Sequence, residues 1–166
     1  MDGISPVNTA AAIAGAETGA ATRPAPELTV VVPTFNERTN IPILVERLGR
    51  ALAECDWEVV FVDDNSPDGT AALVRAIGEK DCRVRCIRRI GRRGLAGACL
   101  EGILASQARY VAVMDADLQH DEELLAKMLD CLRAERADVV AASRYLDGGA
   151  VTGLSKERAR VSRWSR

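Results

Sequence analysis

The fold class this sequence predicts is α/β, a mainly parallel sheet with helices on both faces, on three observations. Five short apolar runs alternate with four stretches of helical spacing, as successive βαβ units require. The apolar runs are continuous, as in strands covered on both sides. Polar, turn-forming segments follow the runs, at the strand ends where open α/β sheets bind ligands.

The first run, residues 28–32, is broken by Pro33-Thr34-Phe35-Asn36-Glu37. Asn40 is a good helix cap with Pro42 in the first turn, and Ile41, Leu44, Val45, Leu48 and Leu52 recur at helical spacing. Residues 58–62 form a second run, ended by Asp63-Asp64-Asn65-Ser66-Pro67-Asp68-Gly69-Thr70. A helix follows with Leu73, Val74 and Ile77 on one face. Residues 84–87 are a shorter strand leading into Arg88-Arg89-Ile90-Gly91-Arg92-Arg93-Gly94, and Leu95, Ala98, Cys99, Gly102 and Ile103 mark the next helix. Tyr110, Val111, Val113 and Met114 make the fourth strand, which stops at Asp115-Ala116-Asp117. Leu124, Leu125, Met128, Leu129 and Leu132 mark a last helix, and residues 138–142 a fifth strand.

Composition bounds the function. At 166 residues, 48% hydrophobic and with a formal charge of −2, the chain predicts one soluble domain, long enough to bury roughly two-thirds of its unfolded surface. No apolar run approaches the ~20 residues that span a bilayer. Cys55, Cys82, Cys86, Cys99 and Cys131 are irregularly spaced, which argues against a zinc site and for reduced thiols in a cytosolic compartment. His120 is the single histidine, so no metal site or relay has two. Residues 1–27 are rich in Ala, Gly, Thr and Pro without a basic start; they predict a disordered leader, not a secretory signal.

Five polar segments share one edge of the predicted sheet: residues 33–37, 63–68, 88–94, 115–119 and 143–145. Asp115 and Asp117, just past a buried strand, are costly to place there without a cation between them. Mg²⁺ or Mn²⁺ takes such oxygen ligands and keeps positions open for substrate phosphates, and Gln119 offers a further neutral oxygen. The alternative is an acidic loop in which Asp121 caps the next helix. There is no Ser-His-Asp set or Cys-His pair, no dinucleotide glycine fingerprint after the first strand and no G-x-x-x-x-G-K-[ST] loop. Acidic clusters, a metal and arginines together suit a nucleoside diphosphate.

Four motifs in order carry a resemblance. Val31-Val32-Pro33-Thr34-Phe35-Asn36-Glu37, Val62-Asp63-Asp64-Asn65-Ser66-Pro67-Asp68-Gly69-Thr70, Asp115-Ala116-Asp117-Leu118-Gln119-His120 and Ser143-Arg144-Tyr145 resemble the family 2 glycosyltransferases of GT-A fold. Within that family they look most like dolichol-phosphate mannose synthases and bacterial polyprenyl-phosphate hexose transferases. The resemblance covers residues 28–162 and implies a nucleotide-diphospho-sugar transferase at 28–150. It places Pro33, Phe35 and Glu37 in the nucleoside pocket, with Asp64 on the base and Ala116 beside the nucleotide. It makes Asp115, Asp117 and Gln119 the ligands of Mg²⁺ or Mn²⁺ against the donor diphosphate, Asp117 being catalytic in that sense. Arg144 and Arg158 match catalytic positions that, with Ser162, engage the acceptor phosphate and the leaving group. Beside these roles, Asp63 reads as a structural carboxylate bonding loop amides and Asp68 as a helix cap. Arg92 and Arg93 either reach phosphates from the helix start at Gly94 or form a solvated basic loop.

The implied reaction is metal-dependent transfer of a hexose with inversion onto a polyprenyl or dolichyl phosphate, with mannose from GDP-mannose first and glucose from UDP-glucose second. A lipid phosphate is already an anion, so attack needs no general base. The alternatives are a family 2 transferase acting on a sugar hydroxyl in polysaccharide assembly and a non-catalytic nucleotide-sugar-binding fragment. The implied partners are the nucleotide-sugar donor, the lipid phosphate and a membrane surface, with no nucleic acid. The implied location is cytoplasmic, peripheral on the cytoplasmic face of a membrane.

Several positions depart from the family pattern. Phe35 stands where Tyr is frequent, Asp121-Glu122 stand where two prolines are usual, and Leu95-Ala96-Gly97-Ala98 matches a glycine-rich segment loosely. Arg166 closes the sequence where such enzymes normally continue into membrane-facing helices, so a truncated chain is expected. Residues 151–166 carry five positive residues against Glu157, a local +4. With Val161 and Trp164 they read either as an interfacial helix on anionic lipid or as a solvated basic helix.

Overall fold

The computed structural model describes residues 24–143. In chain order these form β1 (Leu28–Thr34), α1 (Ile41–Ala51), β2 (Trp57–Asp63), α2 (Thr70–Gly78), β3 (Val84–Arg88), α3 (Leu95–Leu104), β4 (Tyr110–Val113) and α4 (Leu124–Arg133). The four strands make one parallel sheet in the order β3-β2-β1-β4. Most of the leader expected at 1–27, and the basic segment 151–166, lie outside the described residues.

The two central strands are buried along their length apart from a half-buried Pro33, which is why they read as unbroken apolar runs. A proline in a central strand is tolerated here because of the register. β1 pairs with β4 only as far as Val31 and Val113, and the Val31 carbonyl accepts from Met114 N at 3.1 Å. Peptide groups alternate sides along a strand, so the missing N–H of Pro33 falls where β4 has already left the sheet.

Helices cover both faces. Val30, Val32, Val59 and Phe61 pack with Leu44 and Leu48 of α1, Val74 of α2, and Leu125 and Leu129 of α4. On the other face Val31, Val60 and Val62 meet Ala98 of α3. The apolar periodicity of α3 is misleading: Ala98 and Gly102 are buried, whereas Leu95 and Ile103 are exposed. Small residues make this contact because the helix lies close, and a Cβ on Gly102 would sit 2.3 Å from Val31 Cγ1. At the amino end of the same face, buried Glu58 accepts from Thr29 Oγ1 at 3.0 Å and from Arg85 Nη1 at 2.9 Å. Arg85 also donates to Ala105 O at 3.3 Å, tying the end of α3 to the strands.

The fifth strand expected at 138–142 does not form; those residues are irregular and Val139 is 83% exposed. Added beside β4, it would lie next to Val111 and Val113, which are themselves exposed on the face where α3 covers only β1 and β2. A parallel edge strand without cover on both faces leaves its apolar side chains in water, and the run then has no burial to hold it in the ladder. β1 extends two residues beyond its apolar run and β2 one, so Thr34 and Asp63 stand in register at the carboxyl edge.

Candidate active site

Three loops at the carboxyl edge are locked to one another. Asp63, fully buried, accepts from Ser66 N at 2.9 Å and from the Ser66 hydroxyl, as expected of a structural carboxylate. Ser66 Oγ in turn accepts from Asn36 N at 2.9 Å, Thr70 Oγ1 from Glu37 N at 3.2 Å and Asp68 Oδ2 from Arg38 N at 3.2 Å. Three successive amides after β1 are thus held by two side chains of the loop after β2 and by Thr70 at the start of α2. Asn36 and Asn65 take positive φ, 61° and 58°, a conformation asparagine tolerates better than most residues.

Asp68 helps to start α2, but not as its cap. Gly69 occupies the cap position with φ 87°, and Asp68 Oδ1 accepts from Thr70 N at 2.9 Å and Thr70 Oγ1 at 2.6 Å from one residue further out. Desolvation alone would raise its pKa; the bonds from Thr70 and Arg38 outweigh it and hold the carboxyl below the usual 3.8. A depressed folded pKa gives stability that is present above the unfolded value and lost as pH falls through the folded one. Wild-type protein should therefore lose melting temperature more steeply below about pH 4 than Asp68→Ala, whose own melting temperature is lower at pH 7. A pH series of thermal melts on both proteins checks this, and parallel curves would sink it.

A second cluster at this edge is built from Phe35, Glu37 and Asp64. Phe35, directly after β1, is 44% exposed, and the Arg93 guanidinium lies over its ring at 4.7 Å, a cation–π contact. Glu37 is half-buried and accepts from Asn40 Nδ2 at 2.6 Å. Asn65, Gly91, Arg92 and Arg93 line a cleft of about 430 Å³ beside them. Asp64 is buried and engaged within the protein, by Arg89 Nη1 at 2.7 Å and Gly94 N at 2.7 Å. Arg92 turns to Glu101 Oε2 at 2.9 Å, so in this structure Arg92 pairs with a carboxylate and Arg93 lies over the Phe35 ring. Arg89 is a functional candidate that sequence reasoning did not single out among its neighbouring arginines.

The acidic pair follows β4. Asp115 and Asp117 are exposed and Ala116 is buried between them. Asp115 Oδ2 stands 3.4 Å from His120 Nε2, and Asp117 Oδ1 accepts from Gln119 N at 3.1 Å across a turn in which Leu118 takes φ 61°. Asp121 bonds Glu123 N at 3.1 Å ahead of α4; Glu123 holds the cap position itself. Among the described residues no three His, Cys, Asp or Glu side chains gather as a complete metal cage. Two exposed carboxylates and the Gln119 carboxamide fit a different kind of site. Such a set would supply only part of a hard oxygen shell and leave positions open for other oxygen ligands, as Mg²⁺ and Mn²⁺ prefer. Arg144, Tyr145, Arg158 and Ser162 lie outside the described residues.

The profile of the family described as Glycosyl transferase family 2 matches residues 29–165. The dolichol-phosphate mannosyltransferase of Pyrococcus furiosus is 35% identical over 137 residues, 82% of this chain and 38% of that protein. The polyprenol monophosphomannose synthase of Mycolicibacterium smegmatis is 39% identical over 140 residues, 81% of this chain and 51% of its own. Among solved structures, a mannosyltransferase from Pyrobaculum calidifontis in complex with GDP-Man and Mn²⁺ superposes with a TM-score of 0.56 at 30% identity. That match covers 65% of this chain and 32% of the other. The chain therefore spans about half the length of these relatives or less.

Proposed function

The chain belongs to glycosyl transferase family 2 and has the GT-A α/β fold, and from that premise we propose that it transfers a hexose, mannose from GDP-mannose, onto a polyprenyl or dolichyl phosphate with inversion. The observation that carries the reading is the Asp115-Ala116-Asp117 turn, placed on the same sheet edge as Phe35, Glu37 and Asp64. Support comes from relatives named for dolichol-phosphate and polyprenol mannose transfer, and from a structural relative solved with GDP-Man and Mn²⁺.

In this reading Phe35 offers a ring face to the nucleoside, Glu37 accepts from a ribose hydroxyl and Asp64 accepts from the base. Asp115, Asp117 and Gln119 would hold a divalent cation, Mn²⁺ or Mg²⁺. When bound, it neutralises the donor diphosphate and stabilises it as the leaving group. His120 Nε2 stands 3.4 Å from Asp115 Oδ2. The acceptor phosphate oxygen forms a bond to the anomeric carbon as the bond from that carbon to the diphosphate breaks. The displaced nucleoside diphosphate keeps the electron pair. No proton has to be removed from a phosphate monoester anion, so the chain's part is alignment and charge stabilisation. Arg144, Arg158 and Ser162 are assigned to the acceptor phosphate and leaving group.

No helix among the described residues is long and apolar enough to cross a membrane. The proposal places the enzyme peripherally on the cytoplasmic face, with the basic residues 151–166 toward anionic lipid.

Thermal melts of the chain with GDP and UDP, each with and without Mn²⁺, test the donor half. A nucleotide at 100 times its Kd adds about 2.7 kcal/mol, or roughly 5–10 °C for a domain of this size. A manganese-dependent rise with GDP and a smaller one with UDP is the expected result. A larger rise with UDP would move the reading to a UDP-sugar, and no rise with either would overturn it.

A further inference from the structure

Arg89 follows β3, its N–H donating to Asp63 O at 2.8 Å. Its side chain is 4% exposed, and an arginine is almost never so buried unless paired. Here it is paired through Nη1 and Nε. Nη1 donates to Asp64 Oδ1 at 2.7 Å and to Gly94 O at 3.0 Å, and Nε donates to Glu101 Oε1 at 3.1 Å. The other oxygen of Asp64 accepts from Gly94 N at 2.7 Å. An ionised carboxylate has about four lone-pair sites, two on each oxygen. Each Asp64 oxygen therefore has one bond from the protein and one acceptor position left, and the side chain keeps 12% exposure through which a ligand can reach it.

We infer that Arg89 is a positioning residue for base recognition: together with the Gly94 amide it presents Asp64 as a two-acceptor face matched to the adjacent ring N–H and exocyclic amine of guanine. This rests on the nucleoside-binding role given to Asp64 above. A uracil brings one ring N–H flanked by two carbonyls, and a carbonyl set against a carboxylate is repelled. Hypoxanthine is guanine without the amine, so it fills one of the two positions and leaves the other unmet. Orientation is the point of the arrangement. The guanidinium and the amide each hold one oxygen, and together they fix the plane of the carboxylate.

The fold makes room for this arginine at Gly97. A Cβ there would meet Arg89 Nη2 at 2.7 Å. Gly97→Ala should push the guanidinium aside while leaving α3 intact, since alanine is the better helix former. It disturbs the placement of Arg89 without removing its charge. Arg89→Lys keeps the charge and removes the planar fork of donors.

The test is the Kd of GDP and of inosine diphosphate, both with Mn²⁺, for wild-type chain, Arg89→Lys and Gly97→Ala, with a thermal melt to show that each variant is folded. Wild type should prefer GDP by roughly 10–100-fold, the range of one bond to a charged group. Both variants should bind GDP at least about tenfold more weakly and inosine diphosphate little changed, so that the preference shrinks toward unity. A purely structural Arg89 predicts equal losses for both ligands; that result, or an unchanged preference, overturns the inference. Equal binding of the two ligands by wild type overturns it as well. Binding of neither by wild type overturns the nucleoside reading itself, a failure visible before any variant is measured.

Discussion

Asp117→Ala should abolish the manganese-dependent rise in melting temperature with GDP, and should lower sugar transfer by about 10³-fold. Asp117 is exposed, and its carboxylate accepts from the Gln119 amide two residues on. Removing it opens no cavity in the core, so the ligand-free melting temperature should stay within the range of surface substitutions, about 0.5 kcal/mol. Its proposed work is to supply one hard, charged oxygen to the cation that faces the diphosphate. Charge stabilisation of that kind is worth several kcal/mol, and about 4 kcal/mol corresponds to the thousandfold loss. Asp117→Asn should be nearly as damaging, because a neutral carboxamide keeps the shape and loses the charge. A variant that still showed the full manganese-dependent shift would take the metal away from this turn.

Gly102→Ala tests the fold that carries the site. The new Cβ would lie 2.3 Å from Val31 Cγ1 and 3.1 Å from Val62 Cγ2, two fully buried valines of β1 and β2. Helix propensity alone predicts that this change stabilises α3 by up to about 1 kcal/mol. Overpacking a close helix–sheet contact predicts the opposite, about 3 kcal/mol of destabilisation, or roughly 6–12 °C. The two effects differ in sign, so a thermal melt decides between them. The packing term should win because the colliding partners sit in central strands with no room to retreat. A helix displaced here also carries the Gly94 amide away from Asp64, so nucleotide affinity should fall with stability. A melting temperature equal to or above that of wild type would show that α3 rides less closely on the sheet.

Much of this molecule was legible because its signals are local. Unbroken apolar runs marked β1 and β2, and spacing marked Ile41, Leu44 and Leu48 as the buried face of α1. The structural role of Asp63 was also readable, since a carboxylate between a strand end and Ser66 needs amides nearby and finds them. The acidic pair after β4 was found from its spacing just past an apolar run, but the burial expected there is absent, since β4 is only half-buried and both carboxylates are exposed. Failures came where the deciding contact joins distant parts of the chain. The run at 138–142 has strand composition, but strand formation at a sheet edge depends on cover from other elements, and Val139 has none among the described residues. The helix at α3 was found from a stripe of large and small residues together; only packing showed that Ala98 and Gly102 face the sheet.

By itself the sequence determined the order of strands and helices, the parallel sheet and the gathering of polar loops at one edge. These follow from periodicity and from the burial that a two-sided sheet demands. Tertiary structure alone decided which of four nearby arginines is buried. Arg88 bonds Asn65, Arg92 bonds Glu101 and Arg93 covers Phe35, while Arg89 enters the protein between Asp64 and Gly97. Nothing in the spacing of four like charges separates them. The difference arises when β3 and α3 close on β2 and leave a space that one guanidinium, with its three bonded partners, can fill.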